Sequence, residues 1–281
     1  MKNILITGCS GLLGSSLTQT LKKNYQAYDI GVDITDGNAV KNVALKGKID
    51  WVIHTAAMTD VNRCEKEQSA CYNVNVEGTK NVRDLAKNLG AKLLYISTVS
   101  VFSGKEGNYK ETDVPRPVNF YNQTKYEGEK VALEYEKALV LRINLIGVHS
   151  NGSRGQNFFE WLVDSVKANQ DIKLFSDVMV NPLSNWTIAE FIGKIIEKGP
   201  AEKKLHIASS NVLSKADIGK YVMEKLKYHG KAEFVSIDSQ GGAKRPKQMW
   251  LNTDYTSQKM GWQMPRLESE IDKILKNYGT Y

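Results

Sequence analysis

The chain contains no C-x-x-C pair, and its three cysteines (Cys9, Cys64 and Cys71) are too few and too scattered for a disulfide framework or a zinc site. Reduced thiols in a cytoplasmic protein are the expectation, and no metal site is expected. Long hydrophobic runs are also missing. A membrane-spanning helix needs about 20 consecutive apolar residues, and no run here approaches that length. The opening "MKNILITGCSG" breaks into glycines and polar residues too early for a signal peptide and reads as a first strand and turn. Basic charge is present but unfocused. The formal charge is +7 and the pI near 9.0, yet the lysines are scattered among carboxylates, with none of the basic stripe that marks a nucleic-acid surface. Most of these lysines are expected at a solvated surface, where a few can attract an anionic substrate. No long repeat and no low-complexity tract occurs.

What is present is a large apolar fraction, 41% of 281 residues, arranged in alternation. Short β-branched runs, "NILIT" (3–7), "QAYDI" (26–30), "DWVIHTA" (50–56), "KLLYIST" (92–98) and "ALVLRI" (138–143), have the nearly continuous apolar character of strands covered on both faces. Helical patterns separate them, at about 12–22, 39–45, 68–89 and 121–137. This alternation predicts an α/β protein with a mostly parallel, doubly wound sheet. Beyond Ile143 the alternation weakens, and the polar loop "HSNGSRGQN" (149–157) marks a lobe boundary. Strands are predicted at 172–175 and 204–209, and helices near 187–198, 215–227 and 267–277. The expected division is a dinucleotide-binding domain over 1–147, with a segment near 180–209 returning to its sheet, and a smaller, mainly substrate-binding lobe over 148–281.

Between the first strand and first helix, "TGCSGLLG" sets Gly8, Gly11 and Gly14 three apart. Glycines in a strand–turn–helix let the backbone approach a pyrophosphate, and the helix start offers free N–H groups and a partial positive charge. The turn therefore predicts a Rossmann-type fold and an NAD(P) cofactor. Asp29 stands near the end of the second strand, placed to accept hydrogen bonds from an adenosine ribose. No cation follows it in "DIGVD" (29–33), which leans toward NADH over NADPH.

The stretch "YNQTKYEGEK" (121–130) holds two overlapping Tyr-x-x-x-Lys frames, Tyr121–Lys125 and Tyr126–Lys130. Five helical steps turn the chain by roughly 140°, so both frames cannot face one cofactor. The face through Tyr121, Lys125, Gly128, Ala132 and Tyr135 carries small and aromatic groups, whereas Lys130 and Lys137 on the other face suggest solvent. The first frame also suits the hydroxyls Thr98 and Ser100 at the end of the fourth strand, where ligands bind in open α/β sheets.

In these motifs the chain resembles the extended short-chain dehydrogenase/reductase superfamily, and within it the dTDP-4-dehydrorhamnose reductases and related nucleotide-sugar reductases. The likeness spans most of the chain: "TGCSGLLG", "DITD" (33–36), "HTAAMTDVNRCE" (54–65), "NVNVEGTKN" (73–81), "ISTVSVFSG" (96–104), "NFYNQTKYEGE" (119–129), "LRINLIG" (141–147), "QNFFEWL" (156–162), "NPLS" (181–184) and "KRPK" (244–247). The resemblance implies Tyr121 as general acid, Lys125 as the cation that lowers the tyrosine pKa and holds the nicotinamide ribose, and Thr98 as the hydroxyl that orients the substrate oxygen. It implies cofactor contacts from Gly8, Ser10, Gly11, Leu12, Leu13, Gly14, Asp29, Asp33, Ile34, Ala56, Ala57 and Thr59, besides Tyr121 and Lys125. Asn75 matches a structural asparagine, and Ser100, Asn144, Asn157 and Arg245 would meet the nucleotide-sugar substrate.

The sequence departs from rhamnose-type reductases at Val99 and Ser100, where the family has Asp-Tyr, and at Ile143, Asn144 and Leu145, where it has Thr-Ser-Trp. The hydride-transfer set is intact while the sugar-reading positions are altered. Val99 and Ser100 also lack the Asp-Glu pair that sugar-nucleotide dehydratases need beside this threonine. The leading expectation is an NAD(P)H-dependent reductase of a 4-keto-6-deoxy nucleotide sugar in deoxysugar and surface-glycan biosynthesis. Two alternatives share the fold: an NAD-dependent nucleotide-sugar epimerase, and a non-catalytic NAD(P)-binding regulatory subunit. Neither nucleic acid nor membrane is an expected partner, and a homodimer remains open.

Overall fold

A computed structural model describes residues 1–45, 47–149, 157–239 and 245–277. The strands are β1 Asn3–Thr7, β2 Gln26–Asp29, β3 Trp51–His54, β4 Lys92–Thr98, β5 Ala138–Ile143, β6 Leu145–Ile146, β7 Ile172–Phe175, β8 Met179–Val180, β9 Leu183–Ser184, β10 Lys204–Ile207, β11 Leu213–Ser214, β12 Ala232–Val235 and β13 Gln248–Met249. The helices are α1 Leu12–Leu21, α2 Gly37–Lys41, α3 Val61–Lys66, α4 Gln68–Tyr72, α5 Gly78–Asn88, α6 Phe120–Leu133, α7 Phe158–Lys167, α8 Asn185–Lys198, α9 Lys215–Lys225, α10 Asp254–Met260 and α11 Leu267–Asn277.

Six strands form one parallel sheet in the order β2-β1-β3-β4-β5-β10. The strand order reverses between β1 and β3, so a crevice is expected beyond the carboxyl ends of those strands. Period-two alternation sorts the sheet residues between two cores. Ile4, Ile6, Ile53, Leu94 and Leu141 face α1 and α8, while Leu5, Val52, Leu93, Tyr95 and Val140 face α5 and α6. This double burial is why these strands read as unbroken apolar runs rather than as alternating ones.

A third core, including Val99, Phe102, Phe159, Leu162, Leu174, Val222 and Ile271, fills a lobe beside the carboxyl end of β4. Short strands organise it: β8 lies between β11 and β13, and β7 pairs with β12. Among the described residues, no helix is long and apolar enough to cross a membrane.

Several elements differ from the expectation. The helix predicted at 39–45 runs from 37 to 41, because the Asp36 carboxylate accepts from the Asn38 and Ala39 N–H groups and starts it early. The helix predicted at 68–89 contains a π-helical stretch, Asn73–Glu77. Helices α3, α7 and α10 were not expected from the sequence. The polar loop 149–157 lies outside the described residues except for its ends, His149 and Asn157.

Candidate active site

The glycine turn joins β1 to α1 with the Gly11 N–H donating to the Gly8 carbonyl at 3.0 Å. Gly11 caps α1 with no side-chain hydrogen bond, so the helix begins with unfilled N–H donors. The absence of a Cβ at Gly14 is a steric requirement, because an added carbon would overlap the Gly8 carbonyl oxygen and stand 2.7 Å from its carbon. Ser10 is exposed, Gly11 and Leu12 are half-buried, and Leu13 enters the core. The floor of the turn is fixed by Thr7, whose Oγ1 meets His54 Nδ1 at 2.7 Å and accepts from the Ala56 N–H at 3.2 Å. Ala56, Ala57 and Thr59 thus leave β3 alongside the turn. A tight strand–helix turn, free helix-start donors and a loop pinned beside them suit the pyrophosphate of a dinucleotide.

Asp29 is exposed at the end of β2 and accepts from the Gly31 N–H at 3.3 Å. Its carboxylate also lies against Cys9: burial, eased by a Thr18 hydrogen bond and reinforced by Asp29, pushes the Cys9 thiol up to about 11. Cys9 is therefore a neutral thiol where the turn meets the second strand. Asp33 begins a turn by accepting from both Thr35 N and Thr35 Oγ1 at 2.9 Å, and Ile34 is buried with its carbonyl held by Asn81 Nδ2 at 2.9 Å.

The candidate reacting groups come from β4 and α6. Asn119 caps α6 by accepting from the Asn122 N–H at 2.9 Å, and Glu65 accepts from the Phe120 N–H at 2.8 Å. Tyr121 is thereby held in the first turn, half-buried. One turn later Lys125 is buried, its Nζ donating to the Ile96 carbonyl at 2.9 Å and lying 4.3 Å from the Tyr95 ring centroid. Gly128 lets the helix lie this close, since a Cβ there would overlap Tyr95 Oη and stand 2.9 Å from the Asn75 carbonyl. Thr98, half-buried at the end of β4, accepts from the Ser100 N–H at 3.1 Å.

The second frame behaves differently. Tyr126 packs against the lobe core, and exposed Lys130 lies 5.0 Å from its ring and pairs with Glu127 at 2.6 Å. Helix rotation therefore separates the two frames as the 140° argument requires.

The electrostatics refine the role expected for Lys125. Burial lowers its pKa to about 8, against the pull of Glu129 and then Cys71, which favour the ammonium. Tyr121 is pushed above the ordinary phenol range by burial and then by the Cys64 and Cys71 thiols. Lys125 thus directs its hydrogen bond to a β4 carbonyl rather than to the phenol. The two thiols meet at 2.7 Å behind the site, and the odd cysteine count concealed this neighbourhood. Asn75 ties the same region together, with Oδ1 accepting from Met58 N at 2.8 Å and Nδ2 donating to Met58 O and Thr124 Oγ1, both at 3.0 Å.

The expected substrate residues are more dispersed. Ser100 stands two residues beyond Thr98, in the short 3-10 turn Val99–Val101 that Thr98 caps. Asn144 donates through Nδ2 to the Met249 carbonyl at 2.8 Å. Asn157 caps α7, accepting from Phe159 N and Glu160 N while its Nδ2 donates to the Gly147 carbonyl at 3.0 Å. Both amide nitrogens are committed to backbone carbonyls. Arg245 is exposed and acts on a cation that the sequence did not single out, Lys215. Lys215 is lowered to about 8 by burial and then by Arg245, and its Nζ lies 4.7 Å from the Phe158 ring. Two neighbouring cations beside an aromatic ring form an anion-attracting corner.

Comparison with known proteins gives one family. The profile described as "RmlD substrate binding domain" matches residues 1–280. The chain is 34% identical to the dTDP-4-dehydrorhamnose reductase of Aggregatibacter actinomycetemcomitans over 205 residues, covering 70% of this chain and 68% of that protein. It is 26% identical, over 98% of both chains, to the "probable low-salt glycan biosynthesis reductase" of Haloferax volcanii. Among solved structures, the dTDP-4-dehydrorhamnose reductase of Bacillus anthracis in complex with NADP superposes with a TM-score of 0.91 at 28% identity, covering 99% of this chain and 100% of that one.

Proposed function

The chain belongs to the RmlD substrate binding domain family, and from that premise we propose that it is an NAD(P)H-dependent reductase of a 4-keto-6-deoxy nucleotide sugar, serving deoxysugar and surface-glycan synthesis. The observation that carries the reading is the fixing of Lys125 to the carboxyl end of β4 by its 2.9 Å bond to Ile96, one turn from Tyr121 and two residues from Thr98. When bound, the nicotinamide supplies the hydride. Thr98 would orient the carbonyl oxygen of the sugar, and the Tyr121 hydroxyl would deliver its proton to that oxygen as negative charge develops. A phenol held above its ordinary pKa is fully protonated at neutral pH, the form a reduction requires. The Lys125 ammonium would stabilise the phenolate left behind. Lys215 and Arg245 offer the phosphates of a sugar nucleotide two cations.

The test is a panel of dTDP-, UDP-, GDP- and CDP-linked 4-keto-6-deoxy sugars with NADH or NADPH, followed by absorbance and product NMR. Consumption of cofactor with formation of the 4-hydroxy sugar is the expected result. Turnover that needs no added reduced cofactor would replace this reading with epimerisation.

Two further outcomes are expected. Reductase activity should fall as pH rises through about 8, because Lys125 then loses its charge. A kcat profile flat from neutrality to pH values well above this would remove the ammonium from the mechanism. For the cofactor, we propose NADH as the better substrate, since the Asp29 carboxylate at the end of β2 repels a ribose 2′-phosphate. The kcat/KM ratio should favour NADH, and Asp29→Asn should shift it several-fold toward NADPH. A wild-type preference for NADPH would overturn this assignment.

A further inference from the structure

Behind the candidate site lies a buried charge cluster that the sequence motifs did not assign. Glu129 stands one turn beyond Lys125 on α6 and is 1% exposed. Its carboxylate accepts from Ser97 Oγ at 2.5 Å, from Arg142 Nε at 2.8 Å and from Arg142 Nη2 at 2.7 Å. Ser97 and Arg142 are facing partners in the β4–β5 ladder, so one carboxylate fastens α6 to two strands. Residues 96 and 97, just before Thr98, then have consecutive attachments to α6: the Ile96 carbonyl to Lys125 and Ser97 to Glu129.

Such a cluster could be an anchor alone. Its position relative to Lys125 argues for more. Of the charges acting on Lys125, Glu129 favours the ammonium most strongly, followed by Cys71. The other titratable neighbours are neutral. His54 on β3 is held at about 3 by burial and then by Lys125 itself, and Tyr95 on β4 is pushed upward by burial and then Glu129. On the far strand, Arg142 Nη1 meets His206 Nε2 at 3.4 Å, and burial followed by Arg142 holds that histidine at about 3. Glu111 accepts from His206 N and Thr256 Oγ1, and burial raises its pKa. Arg142 is engaged by Glu129, and Glu129 is the carboxylate that favours the Lys125 ammonium.

We propose that Glu129 is a positioning residue for the reduction, keeping Lys125 charged and α6 in register with β4, while Ser97 and Arg142 fix its carboxylate. This rests on the role given to Lys125 above. The test compares Glu129→Gln, Glu129→Asp and the double variant Glu129→Gln/Arg142→Met in the cofactor-bound protein. The double variant leaves no lone guanidinium buried, so it carries the test should Glu129→Gln alone not fold. Lys125 is followed by NMR of its side-chain nitrogen across a pH titration, and reduction of a dTDP-linked 4-keto-6-deoxy sugar is followed in parallel.

In Glu129→Gln and in the double variant, Lys125 should lose its proton about 1 pH unit lower than in the wild type, and the alkaline limb of kcat should move with it. Glu129→Asp should keep the wild-type limb even where its rate is reduced. A folded double variant with an unchanged Lys125 titration would overturn the proposal and leave the cluster a structural anchor. A shifted titration in the variants, with a wild type that reduces no sugar of the panel above, would support the hold of Glu129 on Lys125 and reject the nucleotide-sugar reading.

Discussion

Tyr121→Phe is expected to lower kcat by about a hundred- to ten-thousand-fold, the range for loss of a general acid, with cofactor affinity unchanged. The substitution removes one hydroxyl and keeps the ring, so the first turn of α6, held by Asn119 and Glu65, has no reason to move. Tyr126→Phe should leave turnover near the wild type. That phenol belongs to the lobe packing, beneath a lysine already paired with Glu127. Steady-state rates of the two variants, with cofactor titrations alongside, check the assignment. An inactive Tyr126→Phe beside a near-normal Tyr121→Phe would hand the chemistry to the second frame.

The legibility of that choice has a physical basis. A helix fixes the angle between residues 121 and 126, and a lysine on the wrong face shows itself by its neighbours in sequence. The same holds for the sheet: strands covered on both faces must be apolar throughout, so β1, β3, β4 and β5 stand out without any tertiary information. The returning strand β10 was also legible, although its pairing with β5 was not, because sixty residues of chain intervene.

Where the reading fell short, two kinds of signal were involved. Some are local. Asp60 accepts from the Arg63 N–H and starts α3, and Asn157-x-x-Glu160 forms a capping box that starts α7. The second pattern also explains why Asn157, expected at the substrate, is committed to a helix end. Others were not local at all. Ser97, Glu129 and Arg142 lie on three successive elements, and only the β4–β5 register and the rotation of α6 bring them together. Sequence periodicity places each on a buried face but cannot say which buried polar groups share a partner. The pair Cys64 and Cys71 was hidden likewise, since α3 ends between them and the chain turns at Glu67.

The cofactor turn gives the other large expected effect. Gly14→Ala should weaken NAD(P)H binding tenfold or more while the protein remains folded. The added methyl would meet only backbone: the Gly8 carbonyl group, and the Cys9 Cα at 2.9 Å. No side chain can swing aside, so either the turn moves outward or α1 slides along its axis. Overpacking of this kind costs about 1–3 kcal/mol, and a displacement that misplaces the helix-start donors by even about 1.4 kcal/mol of binding is tenfold in affinity. The control is Gly193→Ala on α8, where the nearest atom to the new carbon would be Leu21 Cδ2 at 3.7 Å. That variant gains helix propensity of about 0.8–1.0 kcal/mol and should bind cofactor as the wild type does. Calorimetric titration with NADH and NADPH, paired with thermal unfolding, separates the two effects. Should Gly14→Ala bind both cofactors with wild-type affinity, the close contact of α1 with Gly8 is not what shapes the phosphate cradle, and the dinucleotide must be held chiefly by the loops after β2 and β3.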